Sequence, residues 1–363
     1  MIPTTATERE EFRAVVRAFL TERSPEPHVR SLIEDERGAD LDVWRQMAAE
    51  LGLAGVIIPE EYGGQGMSQA EMAVALTESA RVLLCAPLLS TGVLAPSALL
   101  DSGDEEAAKR YLPAIADGTL ITAVAIDDGG TARTTAEPGR GDWRLTGRKT
   151  HVIDGQLADL LLVVAAAGDE VGLFAAERNA PGITVEQLDV LDRTRRQAVV
   201  GFADTPVVRI GGDFARPLER LLAIGAVAAA AEQLGVAERM LEISVEYAKT
   251  REQFGKPIGS FQAVKHMCAD MFTLVECSRA AVNVAGEAVA ENSADLAEIA
   301  AVTKAYCSRA ATTVAEMAIQ VHGGIGYTWE HPAHLYLRRA KTLEFLFGDP
   351  RHHREALGVR YGL

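Results

Sequence analysis

The sequence predicts an α+β protein in three successive parts: a helical region over residues 1–118, a mainly antiparallel β region over 119–212, and a carboxy-terminal four-helix bundle over 213–363. Three observations predict it. Apolar residues recur at helical spacing in the first hundred positions. Short apolar runs bounded by turn residues follow. After Pro217 come long, Ala-rich segments free of internal proline. A chain of 363 residues also exceeds what one hydrophobic core usually supports, so more than one domain is expected.

The elements can be justified in order. Phe12, Val15, Val16, Phe19 and Leu20 share the i, i+3, i+4, i+7, i+8 spacing of one helix face. Leu41, Trp44, Met47 and Leu51 mark a second helix over Asp40–Leu53, with Gly52 and Gly55 at its end. The runs Ile121–Ile126, Leu160–Ala166 and Val171–Ala175 read as strands between turn clusters at Asp127–Thr131, Glu137–Asp142 and Arg178–Gly182. No helical pattern fills the gaps, so βαβ crossovers are not implied. Leu218–Arg251, Ser260–Glu291 and Leu296–His322 are three long helices whose apolar stripes must cover one another, and Ala333–Phe347 adds a fourth.

Composition excludes several classes of function. With 36 basic and 51 acidic residues the formal charge is −15, which argues against nucleic acid as a partner. Cys85, Cys268, Cys277 and Cys307 are scattered without a CxxC pair, so free thiols in a reducing compartment are expected. The amino-terminal residues lack the basic-then-apolar order of a secretion signal. Val82–Leu100 carries no charge, but Pro87, Pro96, Ser90, Thr91 and Ser97 interrupt it, and a buried helix and turn fit it better than a membrane span. A cytoplasmic protein is expected. His331, His334, His352 and His353 have no HExxH or paired-Cys company, so no metal site is expected. P-loop, dinucleotide GxGxxG and GxSxG patterns are lacking, and Ala226–Ala231 reads as close helix packing.

Four blocks carry more information. They are Pro59-Glu60-Glu61-Tyr62-Gly63-Gly64-Gln65-Gly66, the run Tyr247–Ile258, the run Gln320–Tyr327, and Leu337-Arg338-Arg339-Ala340-Lys341. These resemble, in order, the PEEYGGxG, YAxxRxxFGxxI, QxxGGxGY and MRDAK segments of acyl-CoA dehydrogenases, and the resemblance spans nearly the whole chain. It implies the fold of that family. It also implies its reaction, in which FAD takes a hydride from the β-carbon of an acyl-CoA while a carboxylate removes the α-proton. Such enzymes are typically tetramers in which each FAD lies between two subunits. The β domain of one chain receives the isoalloxazine, and a neighbour's bundle holds the adenosine diphosphate end.

On the donated side the resemblance assigns cofactor contacts to Arg251, Phe254, Gln262, Gln320, Gly323 and Gly324. Arg251 suits pairing with the pyrophosphate, because the guanidinium fork stays charged. The glycines let backbone approach the adenosine. Taken singly, Arg251 also fits a surface salt bridge, and the glycines also fit a helix C-cap.

The receiving side departs from the family. Ile126-Asp127-Asp128-Gly129-Gly130-Thr131-Ala132 stands where a TEPGAGSD-like loop is expected, with Ile126 at the flavin-binding threonine. His151 and Ile153 stand at the Trp and Thr of NGxKxWIT. Isoleucine has nothing to donate to a flavin, whereas His151 could stack on one or donate to it. Counting along the blocks, the family's two places for a catalytic glutamate fall on Phe347 and Gly225, and neither can take a proton. Glu344 and Asp349 are nearby acids.

This pattern is similar to the base-lacking partner chain of heteromeric α2β2 acyl-CoA dehydrogenases of actinobacteria, which act on steroid side-chain CoA thioesters. The expectation is therefore an FAD-dependent subunit working with a companion chain on a bulky acyl-CoA, with an electron-transfer-flavoprotein-like acceptor. Two alternatives stand beside it. One is a homotetramer whose base has moved to Glu344 or Asp349; the other is a catalytically silent scaffold that binds acyl-CoA or a protein.

Overall fold

The computed structural model describes residues 5–130, 133–139 and 142–363. Helix α1 (Ala6–Arg23) opens on a capping box in which Glu8 donates its N–H to Thr5 Oγ1 and Thr5 donates its own N–H to the Glu8 carboxylate. Val16 and Leu20 are fully buried, but Val15 is 52 % exposed, so the buried stripe is narrower than the spacing predicts. Helix α2 (Glu26–Glu34) follows. Helix α3 (Leu41–Leu51) lies inside the expected Asp40–Leu53: Asp40 caps it by accepting from the Asp42 and Val43 amides, and Gly52 at φ +63° ends it before Leu53.

The Pro59–Gly66 block forms a tight loop behind α3. A Cβ on Gly64 would lie 2.0 Å from the Ile58 carbonyl oxygen, so only glycine fits there. Helix α4 (Gln69–Arg81) comes next. The uncharged stretch Val82–Leu100 is a turn, a wide-turn helix over Leu88–Leu94 and most of helix α5 (Ala95–Asp101), buried throughout from Leu83 to Leu99. Helix α6 (Glu105–Ala116) closes the amino-terminal helical region.

Strands β1 (Thr122–Ala125), β2 (Thr135–Pro138), β3 (Trp143–Ile153), β4 (Leu160–Ala167), β5 (Glu170–Glu177), β6 (Ile183–Gln187) and β7 (Gln197–Ile210) form one seven-stranded sheet. Its order β4-β2-β3-β7-β5 returns to β4 through the β4–β5 pairing, which closes the sheet on itself, and β1 and β6 pair at its margins. Most pairings are antiparallel, as expected. The exceptions are β1 and β2, which both run parallel to β4. Leu145, Leu161, Val163, Phe174 and Val200 fill the interior.

Four further helices match expectation closely: α7 (Ala215–Thr250), α8 (Gln262–Ala290), α9 (Leu296–His322) and α10 (Ala333–Phe345). A two-stranded hairpin, β8 (Glu252–Gln253) and β9 (Lys256–Pro257), separates α7 from α8. The expected fourth helix stops at Phe345 rather than Phe347, because Phe347 and Gly348 both take positive φ. A fifth helix, α11 (Pro350–Arg360), begins beyond it on an Asp349 cap with proline at its first turn. α7 is long and apolar enough to cross a membrane, but its apolar window is 89 % buried.

By packing, the chain divides into two units. One comprises Arg30–Ser68 and Cys85–Ile224 and contains the sheet. The other comprises the stretch ending at Val29, Gln69–Leu84 and Gly225–Leu363, so α1 and α4 join the carboxy-terminal helices. Ion pairs stitch that helical unit together. Glu78, almost fully buried, accepts from Arg13 and Arg17, and Arg81 bonds Glu238 at 3.0 Å.

Candidate functional site

In the helical unit, the end of α7 and the end of α9 meet. The Tyr247 ring stacks on His322 at 4.5 Å, and His322 lies 4.1 Å from His331. Burial lowers the pKa of His322, whose Nδ1 is 2.7 Å from the Ala318 carbonyl oxygen. The two motif blocks of the donated set are thereby brought to one end of the bundle.

Arg251 and Gln262 are exposed there, on either side of the β8–β9 hairpin. The hairpin turns on Phe254 at φ +55° and Gly255 at φ +75°, the pair of left-handed residues that a two-residue turn of this hand demands. Glycine suits that geometry, but phenylalanine is strained in it. The turn holds Phe254 91 % exposed, with its ring edge-on to Phe261 at 6.0 Å. Lys256 Nζ sits 4.5 Å above the Phe261 ring.

Gln320 is exposed on the last turn of α9. Gly323 ends that helix at φ +63°, so the C-cap reading accounts for it. It does not account for Gly324: a Cβ there would meet nothing within 4 Å, and its φ lies outside the left-handed region. Nothing within the described chain requires glycine at that position.

In the sheet unit the expected ring-binding loop is occupied by its own chain. Lys149, 1 % exposed, donates from Nζ to the Ile126 carbonyl at 2.8 Å and pairs with Asp128 at 2.7 Å. Burial lowers the pKa of this lysine. Asp128 also accepts from the Thr134 amide and hydroxyl, and Thr150 donates its N–H to the Asp127 carbonyl. His151 is exposed at φ +52°, with Nδ1 3.6 Å from the Asp127 carboxylate. Ile153 is buried in the sheet, and Asp154 next to it accepts from Ser90 Oγ at 2.7 Å. Thr131 and Ala132 lie outside the described residues. The side chains of Ile126 and Ile153 therefore fit an isoalloxazine poorly, whereas the exposed cation, aromatic ring and glycines of the helical unit fit a dinucleotide.

The positions counted for a base, Gly225 and Phe347, are in contact. A Cβ on Gly225 would lie 2.6 Å from the Phe347 ring, so the two counts reach one place in space and an aromatic side chain fills it. Sequence counting gave both residues but not their contact. The two nearby acids are engaged elsewhere. Glu344 accepts from Lys341 at 3.2 Å and Thr312 at 3.3 Å. Asp349 caps α11 by accepting from the His352 amide at 2.7 Å, and that bond lowers its pKa.

Of the carboxy-terminal histidines, His331 and His334 pack on His322 and Trp329, and His353 Nε2 reaches the Phe347 carbonyl at 3.0 Å. Sequence reading missed that bond, the Lys149 tie and buried Lys304. The available signal for the last was its place among Ala300, Ala301, Cys307 and Ala311, on the apolar stripe of α9.

Known proteins share this sequence and fold. Residues 6–119 match the acyl-CoA dehydrogenase N-terminal domain, and residues 214–361 match the C-terminal domain. The acyl-CoA dehydrogenase IpdE2 of Mycobacterium tuberculosis is 35 % identical over 344 residues, covering 95 % of this chain and 94 % of that protein. The ChsE4-ChsE5 complex from Mycobacterium tuberculosis superposes with a TM-score of 0.92 at 30 % identity, over 100 % of this chain and 99 % of the other. A variant of the Tcur3481-Tcur3483 steroid ACAD gives 0.91 at 31 %, over 99 % of each chain. Similarity of this extent, on a helical–β–helical chain carrying the four blocks, means that the protein belongs to the acyl-CoA dehydrogenase family of FAD-dependent oxidoreductases.

Proposed function

We propose that this chain is the FAD-site-completing subunit of an α2β2 acyl-CoA dehydrogenase, acting with a companion chain on a bulky acyl-CoA such as a steroid side-chain thioester. The observation that carries the reading is the contact between Gly225 and Phe347: the place for a proton-abstracting carboxylate holds a hydrogen and a phenyl ring. The residues that reach outward are intact. Arg251 would pair with the pyrophosphate, Phe254 and Gln262 would flank the cofactor, and Gln320, Gly323 and Gly324 would line the adenosine. Bound FAD supplies the hydride acceptor, and the base comes from the companion chain. The superposition on the heteromeric ChsE4-ChsE5 complex supports an assembly of two different chains. A cytoplasmic location and an electron-transfer-flavoprotein-like acceptor belong to the same reading, and the four free cysteines are consistent with a reducing compartment.

Expression separates the alternatives. The chain alone is expected to purify colourless or unstable, and to become yellow and active when co-expressed with a neighbouring dehydrogenase gene. A yellow homotetramer whose flavin is bleached anaerobically by an acyl-CoA would establish the relocated-base enzyme instead. Flavin in neither preparation would leave the scaffold. Within the complex, Arg251→Ala removes a charge-assisted bond worth about 1.5–3 kcal/mol, a loss of roughly 10- to 150-fold in FAD affinity. Flavin content after gel filtration measures it, and unchanged content would remove Arg251 from the site.

A further inference from the structure

The Phe347–Gly348 turn is held from beneath by a buried cation. Lys304, fully buried on α9, donates from Nζ to Ser308 Oγ, the Glu344 carbonyl and the Gly348 carbonyl, each at 3.0 Å. All three acceptors are neutral. Glu344 lies in the last turn of α10, where helix carbonyls have no intrahelical partner and the helix dipole is negative, so an ammonium is favoured there. Gln233 on α7 bonds Ser308 at 3.0 Å, which ties the anchor to the helix that carries Gly225. From the other side, His353 Nε2 is 3.0 Å from the Phe347 carbonyl. A Cβ on Gly348 would lie 3.0 Å or closer to His352 and His353, so the turn is packed on both flanks. Burial pulls the Lys304 pKa down to about 8, so the side chain still carries its proton at neutral pH.

We infer that Lys304, with His353, is a positioning residue that clamps Phe347 onto Gly225, making the ring a fixed plug that keeps an acyl thioester out of this chain's own pocket. The inference rests on the reading that Gly225 and Phe347 mark the place of proton removal. It accounts for a strained phenylalanine at φ +58° beside glycine at φ +95°: the carbonyls on both sides of the bend are claimed by Lys304 and His353, which overdetermine it.

The test uses the full chain in its assembled complex. In Lys304→Met, amide hydrogen exchange across residues 346–350 should rise at least tenfold while the middle of α9 keeps its protection. His353→Phe, which removes the bond to the Phe347 carbonyl and keeps Lys304, should raise exchange over the same segment and serves if the lysine variant does not fold. Phe347→Ala should add octanoyl-CoA binding sites by titration calorimetry, one for each copy of this chain, without loss of FAD. Unchanged exchange in a folded clamp variant overturns the positioning role. Unchanged octanoyl-CoA stoichiometry in Phe347→Ala overturns the plug. Failure of the chain to support flavin binding in any assembly would instead overturn the functional reading, and the exchange result would still decide the clamp.

Discussion

At the scale of single residues, the decisive feature is steric. A methyl group at Gly225 would sit 2.6 Å from the Phe347 ring, well inside van der Waals contact. Gly225→Ala should therefore cost about 1–3 kcal/mol, the usual range for overpacking a filled interior. Chemical denaturation measures it. A double-mutant cycle with Phe347→Ala should recover most of the loss, because the truncated partner makes room. Additive losses would show that the alanine is accommodated elsewhere. Both residues were found by counting along motif blocks, since blocks fix register along a chain. That they touch was not legible, because contact between residues 225 and 347 depends on how α7 and the end of α10 pack. Glu344 and Asp349 show the converse. Both look available as bases in sequence, and both are engaged, one by Lys341 and Thr312 and the other as a helix cap.

At the scale of elements, most boundaries were legible wherever capping chemistry was local. Asp40 and Gly52 bracket α3, and proline-free apolar stripes delimit α8 and α9, whereas α7 starts three residues before the expected Leu218 and takes Pro217 into its first turn. Helix α11 was missed although Asp349-Pro350 is a cap-and-proline start, because the apolar periodicity that flags a helix is weak in a segment that buries only His353. The parallel pairing of β1 and β2 with β4 was not legible either, since strand order leaves no local trace. The histidine that α11 buries should make the element acid-sensitive. Burial, and then the neighbouring Lys304 and His352 charges, lower the His353 pKa from 6.5 to about 4. Between those values the unfolded chain binds a proton that the folded chain does not, so stability falls as pH drops from 6.5 to about 4 and is unaffected by this group above 6.5. Melting temperatures across that window should fall less steeply in His353→Phe than in the parent. Parallel curves would assign the acid response to other groups.

At the scale of the whole molecule, the chain faces in two chemical directions. The sheet unit spends Lys149, Asp128 and Thr134 on closing its own loop, whereas the helical unit leaves Arg251, Phe254 and Gln320 exposed at the hairpin and at the end of α9. Phe254 at 91 % and Tyr327 at 76 % exposure would be costly apolar surface on a finished particle, and exposed aromatic groups of this size are typical of surfaces that become covered. Assembly should therefore act unevenly. Comparing this chain alone with its FAD-loaded complex, hydrogen exchange should slow over residues 251–262 and 320–331, the hairpin and the end of α9. It should change little over residues 126–130 and 149–153, where the loop is already bonded to itself through Lys149 and the Thr150 amide. Flavin-dependent protection centred on Ile126 and His151 would place the ring in this chain's own sheet, and the proposed division of labour with a companion chain would have to be reversed.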